Sequence, residues 1–200
     1  MSIATEIAES LDHHEFVLRE NALTRAADRL VIMISDVFNW IWVALLAVII
    51  GNVILRYVFS QGMIELEELQ WHLYAIGWLV GLSSTFVVDG HVRVDVIHDR
   101  LSYSKKLWLE IFGLLFLFLP FVIFIIIYSI PLVELSWTTN ERSTSANGLP
   151  ARWVVKGFLL FSFILLAIAG FSRVLRIVLS LVHGSPNSDE QHPSKPVQQA

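Results

Sequence analysis

The 200-residue sequence contains no cysteine. This absence excludes disulfide bonds, thiol catalysis, iron–sulfur clusters and cysteine-ligated zinc. Charge is also scarce, because only 16% of the residues are Asp, Glu, Lys or Arg, whereas a soluble domain carries about a quarter. The formal net charge is -4, and no basic stripe indicates binding to nucleic acid.

Long apolar runs take the place of the missing charge. Hydrophobic residues make up 55% of the chain and the mean hydropathy is +0.63. A helix needs about 20 apolar residues to cross a hydrocarbon core of about 30 Å, and lipid offers no partner to an unpaired backbone group. The sequence therefore predicts an all-α membrane protein with four transmembrane helices, at about 37–59, 69–88, 107–132 and 154–182.

The distribution of Lys and Arg predicts the orientation. If the N-terminus is inside, the outer segments hold four basic residues and the inner segments hold the other ten. The positive-inside rule then places both termini in the cytoplasm. The first 30 residues lack the short apolar core of a removable signal peptide, so we expect the first span to direct insertion. The four outer residues are Arg56, Arg142, Arg152 and Lys156.

The segments outside the spans suggest three regions. Residues 1–35 form a cytoplasmic N-terminal region, in which apolar residues recur at helical spacing and predict an amphipathic interfacial helix. Residues 36–183 form the membrane domain. Apolar and charged residues interleave at 91–101, which predicts a second interfacial segment. Residues 184–200 are rich in Pro, Ser and Gln and are predicted to be a disordered cytoplasmic tail.

Polar and small residues near the spans supply candidate contacts. Glu67 and Glu68 precede span two, where carboxylates suit a helix N-terminus; alternatively, one of them pairs with Arg56 and clamps two helices or contacts a partner. Gly77 and Gly81 are four residues apart and permit close helix packing, either within the chain or on another protein.

Two ionisable residues in the spans and the longest outer loop leave alternatives open. His72 and Glu110 lie either near a headgroup region or toward a partner that hydrogen bonds them. The loop from Glu134 to Trp153 is either a plain connection or a docking surface. No Walker loop, nucleophile elbow or His-Glu-x-x-His motif is present, so the sequence predicts no enzyme.

Four segments, in order, carry a family resemblance. They are 52–59 at the end of span one, 67–69 at the start of span two, 90–95 after span two, and 148–156 before span four. In this combination, over about 39–176, the chain resembles the small integral membrane subunit (DctQ type) of tripartite ATP-independent periplasmic (TRAP) transporters. The residues singled out as partner contacts are Arg56, Glu67, Glu68, Gly77, Gly81, His91, Arg93, Asp95, Gly148, Leu149, Pro150 and Trp153.

The resemblance implies a bacterial inner-membrane protein with two partners. A large membrane subunit would carry the substrate and sodium sites, and a soluble periplasmic protein would capture an organic acid. The small subunit would hold the large one in the membrane and help to dock the binding protein, with no cofactor of its own. The alternatives are a haem-bearing electron-transfer anchor, for which only His72 lies in a span, and another accessory membrane protein.

Overall fold

The computed structural model describes residues 18–88, 103–145 and 147–183. Every regular element in these residues is helical, which confirms the predicted all-α class. The elements are α1 (Ala22–Val58), α2 (Ile64–Val87), α3 (Tyr103–Gly113), a π-helical segment (Leu114–Phe118), α4 (Leu119–Thr138) and α5 (Trp153–His183). Residues 1–17, 89–102 and 184–200 lie outside the described residues. The predicted interfacial segment at 91–101 and the predicted tail at 184–200 therefore stay predictions.

Three helices in the described part are long and apolar enough to cross a membrane. They span Ala22–Val58, Ser104–Thr138 and Trp153–Val182. Helix α2 does not join them, because Glu65, Glu67 and Glu68 occupy its first turns and its apolar part is interrupted by polar residues. Spans one, three and four of the prediction are thus supported, and span two, at about 69–88, stays a prediction.

Helix α1 runs without a break through the expected boundary near residue 35. The Asn21 side chain accepts a hydrogen bond from Thr24 N at 2.8 Å, and Thr24 Oγ1 accepts one from Asn21 N at 3.1 Å, so a capping box starts the helix. Its 37 residues extend about 55 Å. Because no Gly or Pro stands between Ala22 and Ile50, residues 22–35 continue directly into the helix of the first span, and their position at the membrane interface stays a prediction.

The helix of the third span accommodates both of its prolines. Pro120 has no N–H, and its ring would clash with the carbonyl one turn earlier. The π-helical segment Leu114–Phe118 lies directly before it and widens the turn there. Pro131 lies inside α4, which continues to Thr138. The helix therefore continues past both prolines.

Helix α5 is the centre of the bundle and packs against every other helix. It runs parallel to α2, since Ser83 Oγ donates to Ser162 O at 3.2 Å and Glu68 meets the loop before α5. Helices α1 and α4 run antiparallel to it. The core lies along α5 and is formed by Ile76, Leu79, Val80, Val122, Phe163, Leu165 and Leu166. Small buried serines at these contacts let the helices approach closely.

The two glycines of the Gly-x-x-x-Gly pair differ in their surroundings. A Cβ at Gly77 would lie 2.8 Å from Ile41 Cγ2 and 3.1 Å from the Trp42 ring, whereas a Cβ at Gly81 would meet nothing within 4 Å. Gly77 therefore serves packing inside the chain, between α1 and α2. Gly81 has no such role in the described residues.

We predict that Gly77→Ala destabilises the bundle, because Ile41 is branched at Cβ and cannot swing aside. Gly81→Ala is the matched control and should be neutral or stabilising, since Ala favours a helix by roughly 0.5–1 kcal/mol over Gly. Overpacking costs about 1–3 kcal/mol, so the unfolding free energy of Gly77→Ala in detergent should fall below that of Gly81→Ala. Equal stability of the two variants would contradict close packing at Gly77.

Candidate functional site

The described bundle has two polar ends. We call the end with residues 59–63 and 139–152 the loop end, and the end with the start of α1 and the finish of α5 the terminal end. Most predicted contact residues in the described part lie at the loop end. His91, Arg93 and Asp95 lie outside the described residues.

Glu68 fixes the long loop to α2. Its Oε1 accepts a hydrogen bond from Ser143 Oγ, and its Oε2 accepts one from Leu149 N at 2.7 Å. The hydrogen bond from Ser143, then that from Leu149, lower the pKa of Glu68 below its ordinary value, since both stabilise the anion. Glu68 precedes the apolar stretch of α2, so one carboxylate at a helix start holds both sides of a loop about 75 residues further along.

A second carboxylate, that of Glu141, also holds the loop. Lys156 Nζ donates to Glu141 Oε2, and this bond lowers the pKa of Glu141. The backbone adds Ser143 N to Leu149 O at 3.2 Å and Arg152 N to Glu141 O at 3.3 Å. The loop is therefore a folded unit.

Local geometry explains the residue types at two positions of this loop, Asn147 and Gly148. A Cβ at Gly148 would collide with Ser143 Cβ and lie 3.0 Å from Glu68 Oε1, so glycine allows Ser143 to approach the backbone closely here. Asn147 has φ of 63° and Ala151 has φ of 64°; Asn tolerates this left-handed region, whereas Ala is strained there. The predicted residues Gly148 and Leu149 thus have a structural role in the loop, while Pro150 is exposed.

The two neighbouring glutamates at the start of α2 have different partners. Arg56 Nη1 lies 3.7 Å from Glu67 Oε1, and the two side chains are 62% and 46% exposed. An exposed pair of this kind contributes little to stability. The predicted pairing with Arg56 is therefore made by Glu67, and Glu68, about 100° further round the helix, turns to the loop.

A cavity of about 240 Å³ opens beside the loop, between α2 and α5. Trp71, His72, Arg152, Val155 and Lys156 line it. The His72 Nδ1 lies 2.6 Å from Glu68 O, and because a carbonyl only accepts, Nδ1 carries the proton. His72 therefore donates Nδ1–H within its own helix, one turn back.

Trp153 follows the loop directly, at the first position of α5. Its ring packs edge-on against Trp137, with centroids 4.5 Å apart. This contact joins the end of α4 to the start of α5 on either side of the loop. Aromatic pairs in this geometry are worth about 0.5–1.5 kcal/mol beyond their buried area, so the pair helps to fix where the loop stands.

The terminal end holds an ionic network that the sequence reasoning missed. Arg176 donates to Asp28 and lies 2.9 Å from Glu20 Oε1, and Arg173 Nη2 lies 2.6 Å from Glu110 Oε1. The partners come from α1, α3 and α5, far apart in sequence. The signal available was the spacing of Arg173 and Arg176, three residues apart on one face of α5, in a stretch from 157 to 182 that carries no other charge.

The haem alternative gains no support from this arrangement. Of the described histidines, His72 lies at the loop end and His183 at the finish of α5. They are separated by about the whole length of the bundle. A bis-His haem site needs two facing imidazoles, and these two do not face each other.

We predict that Glu68→Gln releases the loop, because the amide offers weaker acceptance to both Ser143 and the Leu149 N–H. Hydrogen exchange of the Leu149 amide should accelerate, and protease cleavage within 143–149 should become faster. Glu65→Gln is the matched control, since Glu65 makes no bond in the described residues. Unchanged exchange in Glu68→Gln would show that the loop is held by other contacts.

The lowered pKa values predict how the loop responds to acid. A carboxyl group whose folded pKa lies below its ordinary value of 4.5 stabilises the folded loop at pH above that value and loses this effect as the pH falls through the folded pKa. Amide protection in the loop, corrected for intrinsic exchange rates, should persist from neutral pH to about pH 5 and fall in more acidic solution. Protection that weakens between pH 8 and 6 would contradict the assignment.

Comparison with known proteins gives one family. The family described as "Tripartite ATP-independent periplasmic transporters, DctQ component" matches residues 45–180. No curated protein matches the chain. The matched region covers the last 14 residues of α1, all of α2 to α4, and α5 almost to its end, and it includes the loop end of the bundle. The resemblance predicted from the sequence is confirmed, and the chain belongs to the DctQ family.

Proposed function

We propose that this member of the DctQ family is the non-catalytic small permease subunit of a sodium-coupled TRAP transporter that takes up an organic acid. Its partners would be a large membrane subunit, which performs the transport step, and a periplasmic solute-binding protein. The observation that carries the proposal is the family match over residues 45–180. The chain's own part would be to scaffold the large subunit and to help dock the binding protein.

The proposed topology has four spans in the bacterial inner membrane, with both termini in the cytoplasm. Helix α2 contains the second span, at about 69–88, because its 24 residues extend about 36 Å and it lies antiparallel to α1 within the bundle. The loop end carries Arg56, Arg142, Arg152 and Lys156, and the other described basic residues lie toward the terminal end. The positive-inside rule supports a periplasmic loop end.

The scaffold role is supported by the outer surface of the bundle. Many large apolar side chains on α1 and α4 are exposed, among them Trp40 at 74% and Phe121 at 57% exposure. Such a surface belongs against lipid or against another membrane protein. Because α5 packs on every other helix, this surface is held in one arrangement.

The docking role is supported by the fixed loop. Glu68, Glu141 and the Trp137–Trp153 pair hold it in place, and its tip exposes Arg142, Asn147 and Pro150. A surface that is ordered before binding avoids the entropic cost of immobilisation. The loop therefore suits repeated encounters with a soluble partner.

We predict that the tagged chain, solubilised from its native membrane in mild detergent, co-purifies with a stoichiometric polytopic membrane protein. Arg56→Ala, and Glu67→Ala combined with Glu68→Ala, should weaken complex assembly or uptake. Glu68→Gln alone should lower uptake that depends on the binding protein and leave retention of the large subunit unchanged, because it frees the loop without altering the helix faces. Glu65→Gln serves again as the control.

Mass spectrometry of the partners and uptake in proteoliposomes measure these outcomes. Recovery of the chain alone would contradict the proposal. Recovery with redox enzymes, together with a Soret absorption band, would favour an electron-transfer anchor. Full uptake in Glu68→Gln would remove the loop from the docking role. A sodium gradient that has no effect on uptake would reject the coupling.

A further inference from the structure

An ionisable side chain on α1 points away from the bundle. Asp36 is exposed, and within residues 18–88, 103–145 and 147–183 it makes no hydrogen bond or ion pair. Asn39, one turn on, is exposed as well. The apolar residues around them are Met33, Val37, Trp40 and Val43, which are 59%, 68%, 74% and 57% exposed. A carboxylate therefore stands in the middle of an apolar outer face.

The neighbours of Asp36 place it deep along the bundle. Phe38 contacts Phe158 and Phe161, with centroids 5.4 and 6.2 Å apart, and Ile34 packs against the cluster that contains Leu165. Asp36 thus lies level with residues 158–165 of α5. The charge-free part of α5 runs from 157 to 172 and is about 25 Å long, so Asp36 is level with its interior.

Lipid is a poor environment for such a group. A carboxylate in the hydrocarbon region costs several kcal/mol, and its short side chain reaches the headgroups poorly. Ionisable residues in membrane helices therefore face a protein interior and pair there. The interior of this bundle lies on the opposite face of α1, where Val31 and Ser35 are buried. The second protein surface must come from outside the described bundle.

We propose that the outer face of α1 around Asp36, with Asn39, Trp40 and Val43, contacts a membrane-embedded helix of another protein that carries an Arg or Lys opposite Asp36. Charge complementarity sets the chemistry of this partner, since a buried carboxylate requires a cation or strong donors. Under the function proposed above, on which the partner's identity rests, this helix belongs to the large membrane subunit.

The test compares retention of the large subunit by three Asp36 variants during purification of the complex. Asp36→Leu and Asp36→Asn should each lower retention by at least about tenfold, because they leave the partner's cation unpaired. Asp36→Glu should restore most of it. Glu134→Gln, which removes an exposed carboxylate from α4, is the matched control and should retain the partner fully.

The isolated subunit supplies a second measurement. Asp36→Leu should leave its thermal stability unchanged or raise it, because no partner within the chain is lost. A destabilised isolated subunit would overturn the proposal, since Asp36 would then pair with another part of this chain. A photocrosslinker at residue 39 should reach the large subunit, whereas one at residue 117, on the helix of the third span, is the control.

The outcomes separate this inference from the proposed function. If the wild-type chain retains the large subunit and both Asp36→Leu and Asp36→Asn retain it equally, the surface assignment fails and the function stands. If no polytopic partner is retained, the proposed function fails, and a crosslink from residue 39 to a cation-bearing helix of a different membrane protein would still support the surface. A crosslink to a second copy of this chain, or to lipid alone, would overturn it.

Discussion

The cost of leaving a charge unpaired in an apolar bundle is the constraint on which this structure depends. With so few charged residues in its helices, almost every one that approaches the core finds a partner on another element. Arg173 and Arg176 bind carboxylates from α3 and α1, and they thereby join the start of α1 and helix α3 to the finish of α5. Removing one member of such a pair costs more than the pair contributes, because the remaining charge stays buried. These pairs specify which helices meet at the terminal end.

The loop end uses the same chemistry for a different purpose. Glu68 and Glu141 do not join helices; they hold a connection of irregular structure in one conformation. Backbone groups in a loop need partners as much as those in a helix do, and Glu68 supplies one to the Leu149 N–H. The result is an ordered surface at the loop end of the bundle. Asp36 is the exception, a carboxylate whose partner is absent from the described chain, and for that reason it points to a second protein.

The sequence anticipated the helices better than their contacts. Apolar length alone located the helices of spans one, three and four, because a 20-residue apolar run has few other solutions. The same reasoning did not predict that the helix of span one begins at Ala22 and runs unbroken past residue 35, since a change in composition does not break a helix without Gly or Pro. It weighed Gly77 and Gly81 as a pair, although only Gly77 meets a neighbouring helix, and it named Arg56 as a possible partner of Glu67 or Glu68 without choosing between them.

Composition and order of the residues by themselves determined the helical class, the membrane environment and the family, because these depend on local hydropathy and on motifs read along the chain. Tertiary structure alone decided the pairs Asp28–Arg176, Glu110–Arg173 and Glu68 with the Ser143–Leu149 loop. Each joins residues about 60 to 150 positions apart, and such a pairing depends on the rotation and register of one helix against another. Those two quantities are set by packing around α5, which the hydropathy of a nearly uniformly apolar helix does not encode.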